Sequence, residues 1–102
     1  MGLQKLHLLG IIHSDVKGEN IGWSSRFQKW VFLDFGFAYF NKDKLGTLTQ
    51  IGFRGTYSYC CKEMKNLYFL KKAGYVDVYY NDLYGLERSF EEKKQIVILK
   101  KN

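Results

Sequence analysis

HSDVKGEN, residues His13–Asn20, follows directly on the apolar run LLGII. Asp15 and Lys17 stand two apart, and Asn20 comes three residues later. A charged turn after a buried strand is in itself compatible with a solvated loop, because clustered charges usually face water. Its place between a helix end and a β-hairpin decides the fold class.

Upstream, Leu3, Leu6 and Leu9 recur about one helical turn apart, and Gly10 follows as a stop. IIH then reads as a short buried strand. Downstream, NIGW and WVFLDF read as two strands of a hairpin joined by the polar SSRFQK. From Gly36 to Tyr59 the pattern is irregular and punctuated by Gly46, Gly52 and Gly55. A loop of that length in a small domain is usually functional or mobile. Past Glu63 the chain turns helical, with Leu83, Leu86 and Phe90 on one face and ERSFEEKKQ on the polar side. The expected fold is α+β, mainly helical, with a small β-hairpin beside the charged loop.

The 102 residues suffice for one small domain. Apolar residues at 46% and charged residues at 25% exclude disordered and collagen-like classes. Proline is absent, and the net charge of +6 favours anionic partners such as nucleotide phosphates, nucleic acid or acidic membrane. The two cysteines, Cys60 and Cys61, are adjacent, which suits neither disulfide geometry nor a zinc site. Reduced thiols place the protein in the cytoplasm or nucleus. No apolar run is long enough to span a membrane. Gly2 is followed by Leu6 where myristoylation wants Ser or Thr. There is no internal repeat.

A second acid, Asp34 of LDFG, ends the apolar tract of the hairpin, where a purely structural strand has little use for a carboxylate. Phosphoryl transfer does have a use for it. That chemistry needs a carboxylate for the hydroxyl nucleophile, oxygen ligands for magnesium, and a cation near the migrating phosphoryl group. Asp15, Asn20, Asp34 and Lys17 supply those groups.

HSDVKGEN, LDFG and GTYSYCCKE together resemble the middle of a eukaryotic protein kinase domain, in order and spacing. The resemblance implies a partial kinase domain over 1–102: a catalytic loop at 13–20, a metal-binding motif at 34–36, an activation segment at about 34–63 and following helices from 64 to 102. It implies ATP and Mg as cofactors and a protein substrate, with serine/threonine specificity because Lys17 follows Asp15 by two. Asp15 would accept the substrate hydroxyl's hydrogen bond. Lys17 would neutralise the γ-phosphate, while Asn20 and Asp34 would be magnesium ligands. Phe35 would pack under a regulatory helix, Thr56 would hydrogen-bond near Asp15, and Glu63 would pair with an arginine late in the domain. Asp82, with Asp77 as its rival, would open a buried helix and anchor the loop backbone. His13 would support the loop structurally, and His7 would be a packed helix residue. Thr47 and Thr49 are candidate phosphosites of a mobile segment.

Several positions depart from the family pattern. Ser14 stands where many kinases have arginine, which removes the usual receiver of an activation-loop phosphate. Gly18, Tyr57 and Lys62 occupy places where proline is usual. The sequence holds no G-x-G-x-x-G and no lysine in the expected strand context. The 102 residues alone are therefore expected not to reach kinase-like rates. A non-catalytic, partner-binding relative is the alternative. A basic aromatic module for nucleic acid is a third reading; the aromatics are more simply core, and no nucleic acid is expected as partner.

Overall fold

The computed structural model of the protein describes residues 2–101, with side chains up to residue 92. Helix α1 spans Gly2–Leu8 and buries Leu3 completely. It stops where the leucine spacing says it should. Gly10 takes φ +78, a left-handed conformation that favours glycine, and its N–H donates to the His7 carbonyl. The chain turns there into strand β1, Ile11–Ile12.

The hairpin forms from β2, Ile21–Ser24, and β3, Lys29–Phe32. Ile21 faces Phe32 and Trp23 faces Trp30 in antiparallel register. Ser24 Oγ accepts the Phe27 N–H at 3.2 Å and so helps close the turn. The expected second strand ran on to Phe35. It ends at Phe32 because Asp34 adopts φ +53, which no strand can continue.

The Gly36–Tyr59 stretch is more ordered than its sequence pattern predicts. Strand β4, Tyr39–Phe40, pairs antiparallel with β1. Strand β5, Thr49–Ile51, pairs with β6, Gly74–Val76, a strand that the helical reading past Glu63 did not contain. These strands are two or three residues long and carry no readable alternation. A 3₁₀ turn at Tyr57–Tyr59 leads into helix α2, Lys62–Leu70, and β6 is followed by α3, Val78–Lys101. The expected helical tract of 64–102 thus begins earlier and is interrupted by β6. Its final residue and the side chains of the KKQ end of the polar stretch lie outside the described residues.

The larger core gathers Ile12, Cys60, Cys61, Met64, Leu67, Val76, Val78 and Tyr79 between α2, α3 and the short strands. A second cluster of Leu3, Val16 and Leu86 joins α1, the charged loop and α3, with Ile21 and Phe32 packed against it. Fully burying each such aliphatic side chain contributes about 1.5–3 kcal/mol. Of the three apolar residues read as one face of α3, only Leu86 is buried. Leu83 and Phe90 are exposed, and Asn81, Asp82, Leu86 and Ser89 point inward. The fold is α+β, and no helix among the described residues is long and apolar enough to cross a membrane.

Both cysteines are free and buried. Burial raises the Cys60 thiol from 9.0 to about 12 and the Tyr39 phenol from 10.0 to about 12. A group whose pKa is higher in the folded state favours folding fully below its unfolded pKa and loses that contribution as pH rises. Stability is therefore expected to fall between pH 9.0 and about 12 as Cys60, and then Tyr39, must ionise. Iodoacetamide at pH 8 should label the cysteines of urea-unfolded protein rapidly and those of native protein slowly. Equal labelling rates would contradict this burial.

Candidate functional site

The loop His13–Asn20 is shaped from below by a carboxylate. Asp82, 1% exposed in the second turn of α3, accepts the His13 N–H on Oδ2 and the Ser14 N–H on Oδ1, both at 2.9 Å. His7 Nε2 lies 3.0 Å from the same Oδ2. Asp82 is thus the loop anchor, although α3 opens four residues earlier at Val78. Its rival Asp77 caps the start of α3 instead, where Asp77 Oδ1 accepts the Tyr80 N–H at 3.0 Å.

Two glycines let neighbouring backbone close on the loop. A Cβ on Gly85 would collide with the Val16 carbonyl oxygen, and one on Gly55 with the Ser14 oxygen. Gly55 also has φ +99. Neither was singled out as a site residue from sequence. The available signal for Gly85 was its position three residues after Asp82, on the same face of a helix.

His13 is fully buried and holds the loop to the hairpin. Its Nδ1 accepts the Asp15 N–H at 3.1 Å, so Nε2 carries the proton and donates to the Leu33 carbonyl at 2.9 Å. The seam between loop and hairpin continues in the Leu33 N–H, which donates to the Asn20 carbonyl at 2.7 Å. His13 thus braces the loop against the hairpin, and His7 packs edge-on against Tyr79 while reaching Asp82.

Asp15, Lys17 and Asn20 converge. Asn20 Nδ2 donates to the Asp15 carbonyl at 2.9 Å and reaches its Oδ2 at 3.3 Å. Thr56 Oγ1 donates to Asp15 Oδ1 at 2.7 Å and accepts from Lys17 Nζ at 2.9 Å. Lys17 Nζ is also 3.9 Å from Asp15 Oδ2. One hydroxyl, from a segment some forty residues away, therefore ties a carboxylate to an ammonium. Asp15 and Asn20 are buried and Lys17 is half-buried. The low local dielectric strengthens these contacts relative to water.

The chain matches no protein-family model and no curated protein in sequence. The functional reading therefore rests on the geometry of the site.

Asp34 follows Leu33, the residue bonded to Asn20, at the same end of the hairpin. Its carboxylate is exposed, and Oδ1 accepts the Gly36 N–H at 3.1 Å. Asn20 has committed its amide nitrogen to Asp15, which leaves Oδ1 as its acceptor. Carboxylate and amide oxygens are hard donors of the kind magnesium takes, and no group of three or more His, Cys, Asp or Glu side chains placed to hold a metal occurs among the described residues. Phe35 is 46% exposed, with its ring 4.8 Å from the His13 ring.

Of the two candidate phosphosites, Thr49 is buried in β5 and shares hydrogen bonds with Asn41, so the folded protein does not present it for phosphorylation. Thr47 is exposed, with its hydroxyl donating to the Lys44 carbonyl at 2.6 Å. Glu63 lies exposed in the first turn of α2, where negative charge is favoured. Within α3, Arg88 pairs with Glu92 at 3.9 Å.

Proposed function

We propose that the His13–Asn20 loop is the phosphoryl-transfer site of a protein-kinase-type enzyme acting on a protein hydroxyl, of the serine/threonine kind. The observation that carries this reading is the Asp15–Thr56–Lys17 arrangement: a buried carboxylate and an ammonium held on either side of one hydroxyl. Asp15 accepts a hydrogen bond from the incoming hydroxyl and orients it. Lys17 places positive charge where the transferred phosphoryl group gathers negative charge. Asn20 braces Asp15 through its amide and, with Asp34, would hold Mg2+ through side-chain oxygens. The ion, when bound with ATP, neutralises phosphate charge.

A second reading, a non-catalytic binding module, is supported by the exposed apolar residues of the stretch 33–40. Leu33, Phe35, Phe37 and Phe40 are all exposed there, as at a partner-binding surface.

Metal–nucleotide binding separates the two. With Mn2+ as a paramagnetic substitute, ATP should broaden the NMR signals of Asn20, Asp34 and Gly36 before those of α2. The ion without nucleotide should bind weakly, because magnesium-type ions keep several waters and are held largely through substrate phosphates. Asp34→Asn should weaken binding by about tenfold or more, as expected for loss of a charged ligand. Broadening that begins elsewhere, or that survives Asp34→Asn unchanged, would favour the binding module.

A further inference from the structure

We propose that the tip of the β2–β3 hairpin is a peripheral anchor for an anionic lipid surface. Ile21 and Phe32 pack on the core. Two residues further along each strand, on the same face, Trp23 and Trp30 extend beyond that core and are 53% and 61% exposed. Phe27, at the turn, is 61% exposed. Arg26 and Lys29 flank it, their cationic groups 5.3 and 6.0 Å from its ring centre. No acidic residue occurs between Glu19 and Asp34.

Three aromatic side chains with two cations and no acid match the membrane interface. There, aromatic rings sit at headgroup level while basic side chains reach lipid phosphates. Each basic residue close to an anionic leaflet favours binding by roughly fivefold, so this pair supplies roughly twenty-five-fold.

Single-stranded nucleic acid is disfavoured by the ring geometry. Base stacking needs open ring faces. Trp23 and Trp30 pack edge-to-face at 5.6 Å, and the cations lie over Phe27. A second copy of the chain, docked through this patch about a two-fold axis, would set Arg26 and Lys29 against their own duplicates.

Trp23 and Trp30 are the protein's two tryptophans, so its intrinsic fluorescence reports on this hairpin. Vesicles of phosphatidylcholine and phosphatidylserine in equal parts should shift the emission to the blue and carry the protein down on sedimentation. Pure phosphatidylcholine vesicles should bind at least about tenfold less. High salt should weaken the binding. The R26E/K29E variant should lose it while keeping its far-UV circular dichroism. Should that variant not fold, the salt dependence and lipid selectivity of the unaltered chain decide in its place. The proposal is overturned by equal binding to both vesicle types or by no shift with either. A shift produced by oligouridylate but not by vesicles, or by raising protein concentration alone, overturns it as well.

Discussion

Asp15→Asn should lower phosphoryl transfer from ATP to a protein hydroxyl by about 10²–10⁴-fold, the usual contribution of a positioned acid–base group. The substitution keeps the shape of the side chain and removes its charge. In the native site Asp15 Oδ1 accepts from Thr56, and Oδ2 faces Asn20 Nδ2 and Lys17 Nζ. An asparagine offers one acceptor for these donors. If its oxygen stays on Thr56, its NH2 is turned toward two other donors. The nucleophile loses its acceptor and Lys17 its counter-charge together. Transfer of labelled γ-phosphate, compared between the two proteins, reads the effect. The comparison is a ratio because the 102 residues include no G-x-G-x-x-G, and absolute rates are expected to lie far below the roughly 1–100 per second typical of kinases. Equal rates in the two proteins would remove Asp15 from the mechanism.

Asp82→Ala should cost about 3–5 kcal/mol of folding stability, a large fraction of the total for so small a protein. Its carboxylate receives two backbone N–H groups, from His13 and Ser14, and neither has water as a substitute at that depth. Each buried donor left without an acceptor costs about 1–3 kcal/mol. The His7 contact is lost with them. Ser14 adds to the requirement, since it is held at φ +74, a conformation costly for a non-glycine residue. Asp82→Asn should fall between wild type and alanine, because its amide oxygen can serve one N–H while its NH2 opposes the other. Urea midpoints order the three proteins, and hydrogen exchange at the His13 and Ser14 amides should accelerate first. An alanine variant as stable as wild type would show that the loop stands without its anchor.

The sequence alone was sufficient for whatever depends on near neighbours. The Gly10 stop, the hairpin and the grouping of Asp15, Lys17 and Asn20 all arise within a few residues, where turn chemistry and strand alternation decide the conformation. Tertiary structure decided the rest. Strands β4, β5 and β6 are too short to show a period and exist because partners distant in sequence satisfy their backbone groups. Thr56 meets Asp15 and Lys17 only because Gly55 lets its backbone close on Ser14. Of the apolar face read in α3, Leu86 is buried but Leu83 and Phe90 are not, because the inward side also carries Asn81, Asp82 and Ser89. A core-facing helix normally buries its apolar stripe, but this one must receive a loop rich in unpaired N–H groups. Asp82 provides the acceptor and Gly85 the room, so the face that turns inward is the one that can bond to backbone.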